Sequence, residues 1–549
     1  MRTGLLFSGT ALIGLCLVSA FPGCGSSSSN GNNPSTDGGN MADTSSDDSS
    51  SGGDDGSSGD ANEESSSSSG GDTGTGCTAS VMPKGMQVLA SVTDTVQGVT
   101  SDGQIIFYDG STMKLNAVPV GGGTPKVIGP WDKSQSLIFT SNGVALYWNG
   151  ATQTSSPHGA LSIWSASGGA QTLGTQSYFS SPNGGGWVDV SADGSLVVYS
   201  DNATTGTADI YVAGSDGSNK TKIVSAASIG AACRPVVRFA GNTPVVAYCT
   251  AQPDAGTTLN ATVAAYSGPP TWQTVQQFTA TGFYGFTVAP LPGGDGGASA
   301  YQVEYLDSTG MYVEPLGGTT PTLIDAKSAG GATFTHSGTD IIYIETDGSV
   351  WRSPVATPAP GELAKGPFQG TLALSSDDNW LEVFSQQNMT TFFTDMYLLS
   401  TTPADGGNTP TTLASMASGA NFGDPFTTDN SRAIFFPNVV MSGSAGYVGA
   451  YDSLTLPPSG MPKTIAQNVW EEFATSGAKT LYNDNYASNA GFAGAADIES
   501  VDLGGTASAT TLVSQADANF FLTADKKTIV YSWSACPGAK AGIYTLAAP

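Results

Sequence analysis

From residue 81 onward, short runs of apolar, β-branched and aromatic residues alternate with clusters of Gly, Asn, Asp, Ser and Thr. Strand-length runs bounded by turn residues predict β-structure, and no stretch carries the period of a long amphipathic helix. The clearest unit reads Val188-Asp189-Val190, a turn at Ser191-Ala192-Asp193-Gly194, then Ser195-Leu196-Val197-Val198-Tyr199-Ser200. Asp209-Ile210-Tyr211-Val212 follows, then a turn at Asp216-Gly217 and a closing run Thr221-Lys222-Ile223-Val224. Four antiparallel strands are predicted, with Asp-Gly supplying the positive φ of tight hairpins.

The order recurs. Ser101-Asp102-Gly103 precedes Gln104-Ile105-Ile106-Phe107-Tyr108, Thr335-His336-Ser337-Gly338 precedes Ile341-Ile342-Tyr343-Ile344, and Ala524-Asp525-Lys526-Lys527 precedes Thr528-Ile529-Val530-Tyr531. Closing runs recur at Lys126-Val127-Ile128, Gln171-Thr172-Leu173, Thr322-Leu323-Ile324, Thr412-Leu413-Ala414, Lys463-Thr464-Ile465 and Thr511-Leu512-Val513. About ten units with a period in the forties predict an all-β fold, a β-propeller of four-stranded antiparallel blades over residues 81–549. Residues 191–217 resemble the repeat of TolB-like propellers: Ser-Pro-Asp-Gly, an apolar strand ending in an aromatic, Ser-Asp, then Asp-Ile-Tyr and Asp-Gly. Ala192 stands in place of that Pro and Asn202 where Arg is frequent. The resemblance implies a fold and little chemistry, because propellers host unrelated functions.

The last unit holds Phe520-Phe521-Leu522, Thr528-Ile529-Val530-Tyr531 and Ile543-Tyr544-Thr545-Leu546 but no closing run, while the body begins with an orphan of that type, Gln87-Val88-Leu89-Ala90. Pairing the orphan with Ile543–Leu546 would complete the last blade and remove two exposed edges. That pairing predicts a single closed ring of about eight to ten blades, ten by direct count. The alternative is two smaller rings in tandem.

Upstream, Arg2 and the apolar residues 5–18 form the positive and hydrophobic regions of a signal peptide, too short to span a bilayer. Val18-Ser19-Ala20 fits ordinary signal peptidase, and Phe21-Pro22-Gly23-Cys24 resembles a bacterial lipobox. The lipobox reading makes residues 1–23 the signal peptide and Cys24 the lipidated N-terminus of a tether, residues 24–80. Residues 25–76 are nearly all Ser, Gly, Asp, Asn and Thr, with ten acids and no base. Such a segment is expected to stay disordered and to reach roughly 40 Å as a coil.

Cysteine arithmetic agrees with that reading. Once Cys16 leaves and Cys24 carries lipid, Cys77, Cys233, Cys249 and Cys536 remain, an even number suited to an oxidising compartment. A hairpin centred near Gly241 predicts a Cys233–Cys249 disulfide, and ring closure predicts Cys77–Cys536. The expected location is the envelope of a Gram-negative bacterium, as an outer-membrane lipoprotein held by its lipid anchor alone. Plain secretion is the alternative.

The net charge of −27 and a pI near 4.1 argue against nucleic acid and anionic membrane surfaces as partners. His158 and His336 stand far apart in turn contexts without metal-ligand spacing, so no metal is expected. No zincin motif, nucleophile elbow or phosphate loop occurs, so no cofactor and no catalytic residue is assigned. A peptidase of the prolyl oligopeptidase type would need an α/β-hydrolase domain after the ring, and the chain stops at the last blade. The acids of the repeat read as turn chemistry rather than calcium ligands, and the tryptophans, spread about one per unit, as packing between blades. The expected function is a non-catalytic binding or scaffold protein that meets envelope proteins or polysaccharide through its loop faces or channel. A carbohydrate-active propeller enzyme and a surface adhesin are the alternatives.

Overall fold

The structure is a computed structural model. It describes residues 82–549 apart from 91–93, 132–136, 140–142, 151–157, 179–187, 192, 205, 229–234, 250–259, 267–273, 282–284, 292–300, 317, 319, 386–392, 405–406, 419–424, 428, 438–439, 442–446, 477–478, 488–494, 504–507, 518 and 534–539. Cys24, the tether, Cys77, Cys233 and Cys536 therefore lie outside the described residues.

The described residues form eight four-stranded antiparallel sheets and one of seven strands, which together make ten blades in a ring. Blade 1 comprises Asp94–Val99, Gln104–Asp109, Lys114–Pro119 and Lys126–Pro130, from inner to outer strand. Blade 2 runs from Leu137–Phe139 to Gly169–Tyr178, blade 3 from Val188–Val190 to Thr221–Ser228, and blade 4 from Val236–Ala240 to Thr274–Thr281. Blade 5 runs from Gly285–Pro290 to Thr322–Asp325, blade 6 from Ser328–Phe334 to Gly361–Ala364, and blade 7 from Phe368–Leu374 to Thr411–Ser418. Blades 8 and 9 make the seven-stranded sheet because they share the 14-residue strand Lys463–Ser476. Its first part is the outer strand of blade 8 (Asp452↔Thr464), and its second part is the inner strand of blade 9 (Phe473↔Tyr482).

Side-chain alternation fixes which blade meets which. In blade 1, Ile105 and Phe107 pack against Val530 and Ile543, while Ile106 between them packs toward Leu137 and Tyr147 of blade 2. In blade 3, Val197 and Tyr199 join Leu146 and Trp148, and Val198 joins Val237 and Val246 of blade 4. Successive residues of a strand point to opposite faces, so a continuous apolar run belongs to a strand covered on both sides. Apolar clusters of this kind fill every seam from blades 1 and 2 round to blades 10 and 1. Trp131, Trp148, Trp164 and Trp533 are buried in these seams.

Blade 10 draws on both ends of the body. Phe520–Leu522, Thr528–Trp533 and Gly542–Ala547 are completed by Met86–Ala90, with Met86↔Thr545, Gln87↔Tyr544, Leu89↔Ile543 and Ala90↔Gly542 in register. The orphan run therefore closes the last blade, and a single ring replaces the tandem alternative.

The hairpin of blade 4 pairs Ala240 with Thr243 and Val236 with Ala247, so it turns on Gly241 and Asn242 together, with Gly241 at φ 59°. Its centre therefore lies half a residue beyond Gly241. Cys233 is not among the described residues, so the expected Cys233–Cys249 pairing lies outside them. Cys249 itself is buried.

The closing seam can be tested at Gly542. A Cβ there would lie 2.1 Å from the carbonyl oxygen of Leu89. Gly542→Ala should lower unfolding free energy by about 1–3 kcal/mol in urea titration. Gly206→Ala in blade 3, where a Cβ meets nothing within 4 Å, should range from neutral to stabilising by about 1 kcal/mol.

Candidate functional site

Six described blades share one turn between their inner and second strands. In blades 1, 3, 6, 7, 8 and 10 a Ser or Thr (Thr100, Ser191, Thr335, Ser375, Thr427, Thr523) opens the turn, and its N–H donates to the carbonyl of the residue that closes it. The fourth residue donates back to the opening carbonyl and takes a positive φ: Gly103, Gly194, Gly338, Asp378, Asn430 and Lys526. In five of the six the opening hydroxyl then donates to the carboxylate of the third residue. Ser191 reaches Asp193 at 2.8 Å, Ser375 reaches Asp377 at 2.6 Å, Thr427 reaches Asp429 at 2.7 Å and Thr523 reaches Asp525 at 2.6 Å. Thr100 donates likewise to Asp102.

These carboxylates work as acceptors. Hydrogen bonds from Thr427 and Ser431 hold Asp429 at about 2. At Asp193 partial burial pushes upward, but hydrogen bonds from Ser195, Ser191 and Asn242 outweigh it and hold the group at about 2. A depressed carboxyl stabilises the fold above its ordinary pKa and loses that contribution as pH falls toward the folded value.

The Asp of the Asp-Ile pair has a second structural use. The outer strand of blade 3 bulges at Ala226, φ 51°, and its N–H donates to Asp209 at 2.9 Å. Blade 9 repeats the arrangement, with Gln515 at φ 57° donating to Asp497 at 2.9 Å. Asp201 accepts the N–H groups of Thr175 and Gln176 at 3.0 Å each and pairs with Lys220 at 2.9 Å.

Two glutamates depart from the apolar pattern of the second strands. Glu304 in blade 5 and Glu382 in blade 7 hold the place of Ile106, Val198, Ile342 and Val530, and both are buried in seams between blades. Burial pushes Glu304 up to about 8 against hydrogen bonds from Thr287. Both side chains are shut off from a sugar bond, so neither is placed to protonate a leaving group. Between blades 5 and 6, burial and then the neighbouring Asp325 raise Glu345, while Tyr343 Oη donates to Asp325 at 2.7 Å.

The turns also touch one another across the seams. His336 sends its backbone N–H and Nδ1 to Asp378 of the next turn, with Nδ1 to Oδ1 at 2.5 Å. Ser376 donates its N–H at 3.1 Å and its hydroxyl at 2.9 Å to Asn430 Oδ1, one blade further on. Asn242 donates to Asp193 at 2.8 Å. The partner of His336 lies 42 residues away, one blade period, which local spacing does not reveal. His158 sits at the start of a strand, with its ring 5.5 Å from that of Tyr178. Among the described residues no group of three or more His, Cys, Asp or Glu is arranged to hold a metal.

Beside the Ser376–Asn430 link, the seam of blades 7 and 8 opens into a groove of about 450 Å³. Asp377, Asn379, Trp380, Ser400 and Thr402 line it from blade 7, and Asn430, Leu456 and Pro457 from blade 8. Packing between blades accounts for the buried tryptophans, but Trp380 is half-buried and borders this open space.

Glu304 provides a test of the seam chemistry. Its pKa rises from an ordinary 4.5 to about 8 on folding, so the proton-linked stability is complete below pH 4.5 and lost as pH climbs through 8. Glu304→Gln should match the parent at pH 4.5 and exceed it by on the order of 3 kcal/mol above pH 8 in paired thermal melts. Parallel curves at both pH values would show that Glu304 stays ionised.

No family model and no curated protein matches the chain. Among solved structures, a eukaryotic initiation factor is 12% identical, with 70% of this chain and 90% of that one covered at a TM-score of 0.45. Dipeptidyl peptidase 4 of Porphyromonas gingivalis is 8% identical, with 80% and 65% covered and a TM-score of 0.40. TolB from Acinetobacter baumannii is 12% identical, with 56% and 61% covered and a TM-score of 0.25. At these identities the likenesses concern architecture alone.

Proposed function

We propose that this protein is a lipid-anchored, non-catalytic binding propeller of a Gram-negative cell envelope, which meets envelope polysaccharide or protein through the face that carries the shared turns. The observation that carries the reading is the use made of the acids. Turn and bulge acids are committed to N–H and O–H groups of the fold, and the glutamates with the clearest departures from ordinary chemistry lie within seams. A ring whose carboxylates already hold donors of the fold offers a rigid surface, which suits recognition more than bond cleavage.

The anchor rests on Gly23-Cys24, the apolar run before it and the tether after it. In cells, Cys24→Ser should abolish fatty-acid labelling and move the protein from the membrane to the soluble fraction. Equal labelling of both forms would place the lipid elsewhere, and labelling of neither would make the protein a secreted one. The non-catalytic reading predicts that purified protein sediments with envelope polymer and leaves its bonds intact; released oligosaccharide would turn the assignment to the carbohydrate-active enzyme.

The same compartment accommodates two disulfides, Cys233–Cys249 and Cys77–Cys536. Cys77 stands nine residues before Met86 and Cys536 six before Gly542, and Met86 and Gly542 begin the two strands that close blade 10. Non-reduced peptide mapping should recover both pairs, and free thiols at these positions would refute them.

A further inference from the structure

The groove between blades 7 and 8 is set apart by the residue that closes the shared turn. In the six turns that residue is Gln104, Leu196, Asp340, Trp380, Arg432 or Thr528. Only blade 7, of these six, places an aromatic ring there. Its backbone is pinned from both sides: the Trp380 N–H donates to Ser375 Oγ at 2.9 Å, and the Ser375 N–H donates to the Trp380 carbonyl at 2.9 Å. Strand pairing sets Trp380 opposite Ser400, so the loop carrying Thr402 flanks the indole.

The lining has a definite chemistry. Leu456 and Pro457 give one apolar wall, the indole gives an aromatic one, and the remainder is amide, hydroxyl and a single carboxylate. That carboxylate, Asp377, already accepts from Ser375 Oγ, the Asn379 N–H and Asn379 Nδ2. An anion would find no cation in the lining, and a cation would find only this engaged acid. Asn430 is oriented by its Oδ1, which Ser376 holds twice, leaving its Nδ2 hydrogens for other acceptors. The Asn379 Oδ1 and the Thr402 hydroxyl add an acceptor and a donor–acceptor. The volume falls within the ~300–1,000 Å³ of small-molecule sites.

We infer that this groove is a subsite for a neutral saccharide. A pyranose has an apolar C–H face, which an indole covers, and a girdle of hydroxyls, which amides and hydroxyls bind in place of water. The inference rests on the binding reading above and names the ligand class for one site on that face.

The test uses the full-length Cys24→Ser chain, titrated with maltotriose, cellotriose and the trimer of N-acetylglucosamine and followed by tryptophan fluorescence and calorimetry. At least one trisaccharide should bind, and Trp380→Ala should weaken it by about tenfold or more. Trp380 also packs against the seam, so two gentler variants accompany it. Asn430→Asp keeps the acceptor that Ser376 uses and removes the amide donor. Thr402→Val removes one hydroxyl. Each should weaken binding several-fold with an unchanged melting temperature. Failure of all three sugars to bind, or wild-type affinity in Trp380→Ala, would overturn the assignment. If that happens while the protein still sediments with envelope polymer, the groove is wrong and the binding role stands. If neither sugar nor polymer binds, both fall.

Discussion

Every blade of this ring is buried on both faces, and most of the structure follows from that constraint. A strand covered on one side alternates apolar and polar residues, but here the second strands of blades 1, 3 and 6 are apolar through their middles. Ile105-Ile106-Phe107, Val197-Val198-Tyr199 and Ile341-Ile342-Tyr343 each send odd positions one way round the ring and the even position the other. No blade has a core of its own, so ten seams stand or fall together. Side chains that interrupt this pattern, Glu304 and Glu382, are carried at a cost that the seams around them offset.

Much of this was legible in the amino-acid order. The Asp-Gly turns, the aromatic that ends the second strand, the closing runs and the orphan strand at residues 87–90 all depend on local backbone preference and on pairing at sheet edges, which short motifs express. What was not legible involves a count or a distance that local chemistry leaves open. The sequence places the blade 4 turn near Gly241 but leaves open that Asn242 shares it, and that half-residue decides which positions face each other. The shared strand Lys463–Ser476 has a closing run at its start but no punctuation in its middle. His336 and Asp378, or Ser376 and Asn430, meet only because the repeat stacks one turn beside the next.

The groove shows the same division. Trp380 was visible as one of nine tryptophans, and packing between blades was a sound reading for Trp148 or Trp164. The register that sets Trp380 at the mouth of a turn, and the neighbouring blade that supplies Asn430, Leu456 and Pro457, are properties of the folded ring. The acids tell the opposite story. A net charge of −27 invites thoughts of cations or basic partners, yet Asp193, Asp377 and Asp429 already hold several donors each.

The strand Met86–Ala90 is made first and finds its partner, Gly542–Ala547, last. Until that last strand arrives, the first has nothing to pair with. Throughout that interval the nascent ring is an open arc with an unpaired edge at each growing end. Whatever escorts the chain must shield those edges until the final residues emerge, and a chain released a few dozen residues early would offer both edges to its neighbours.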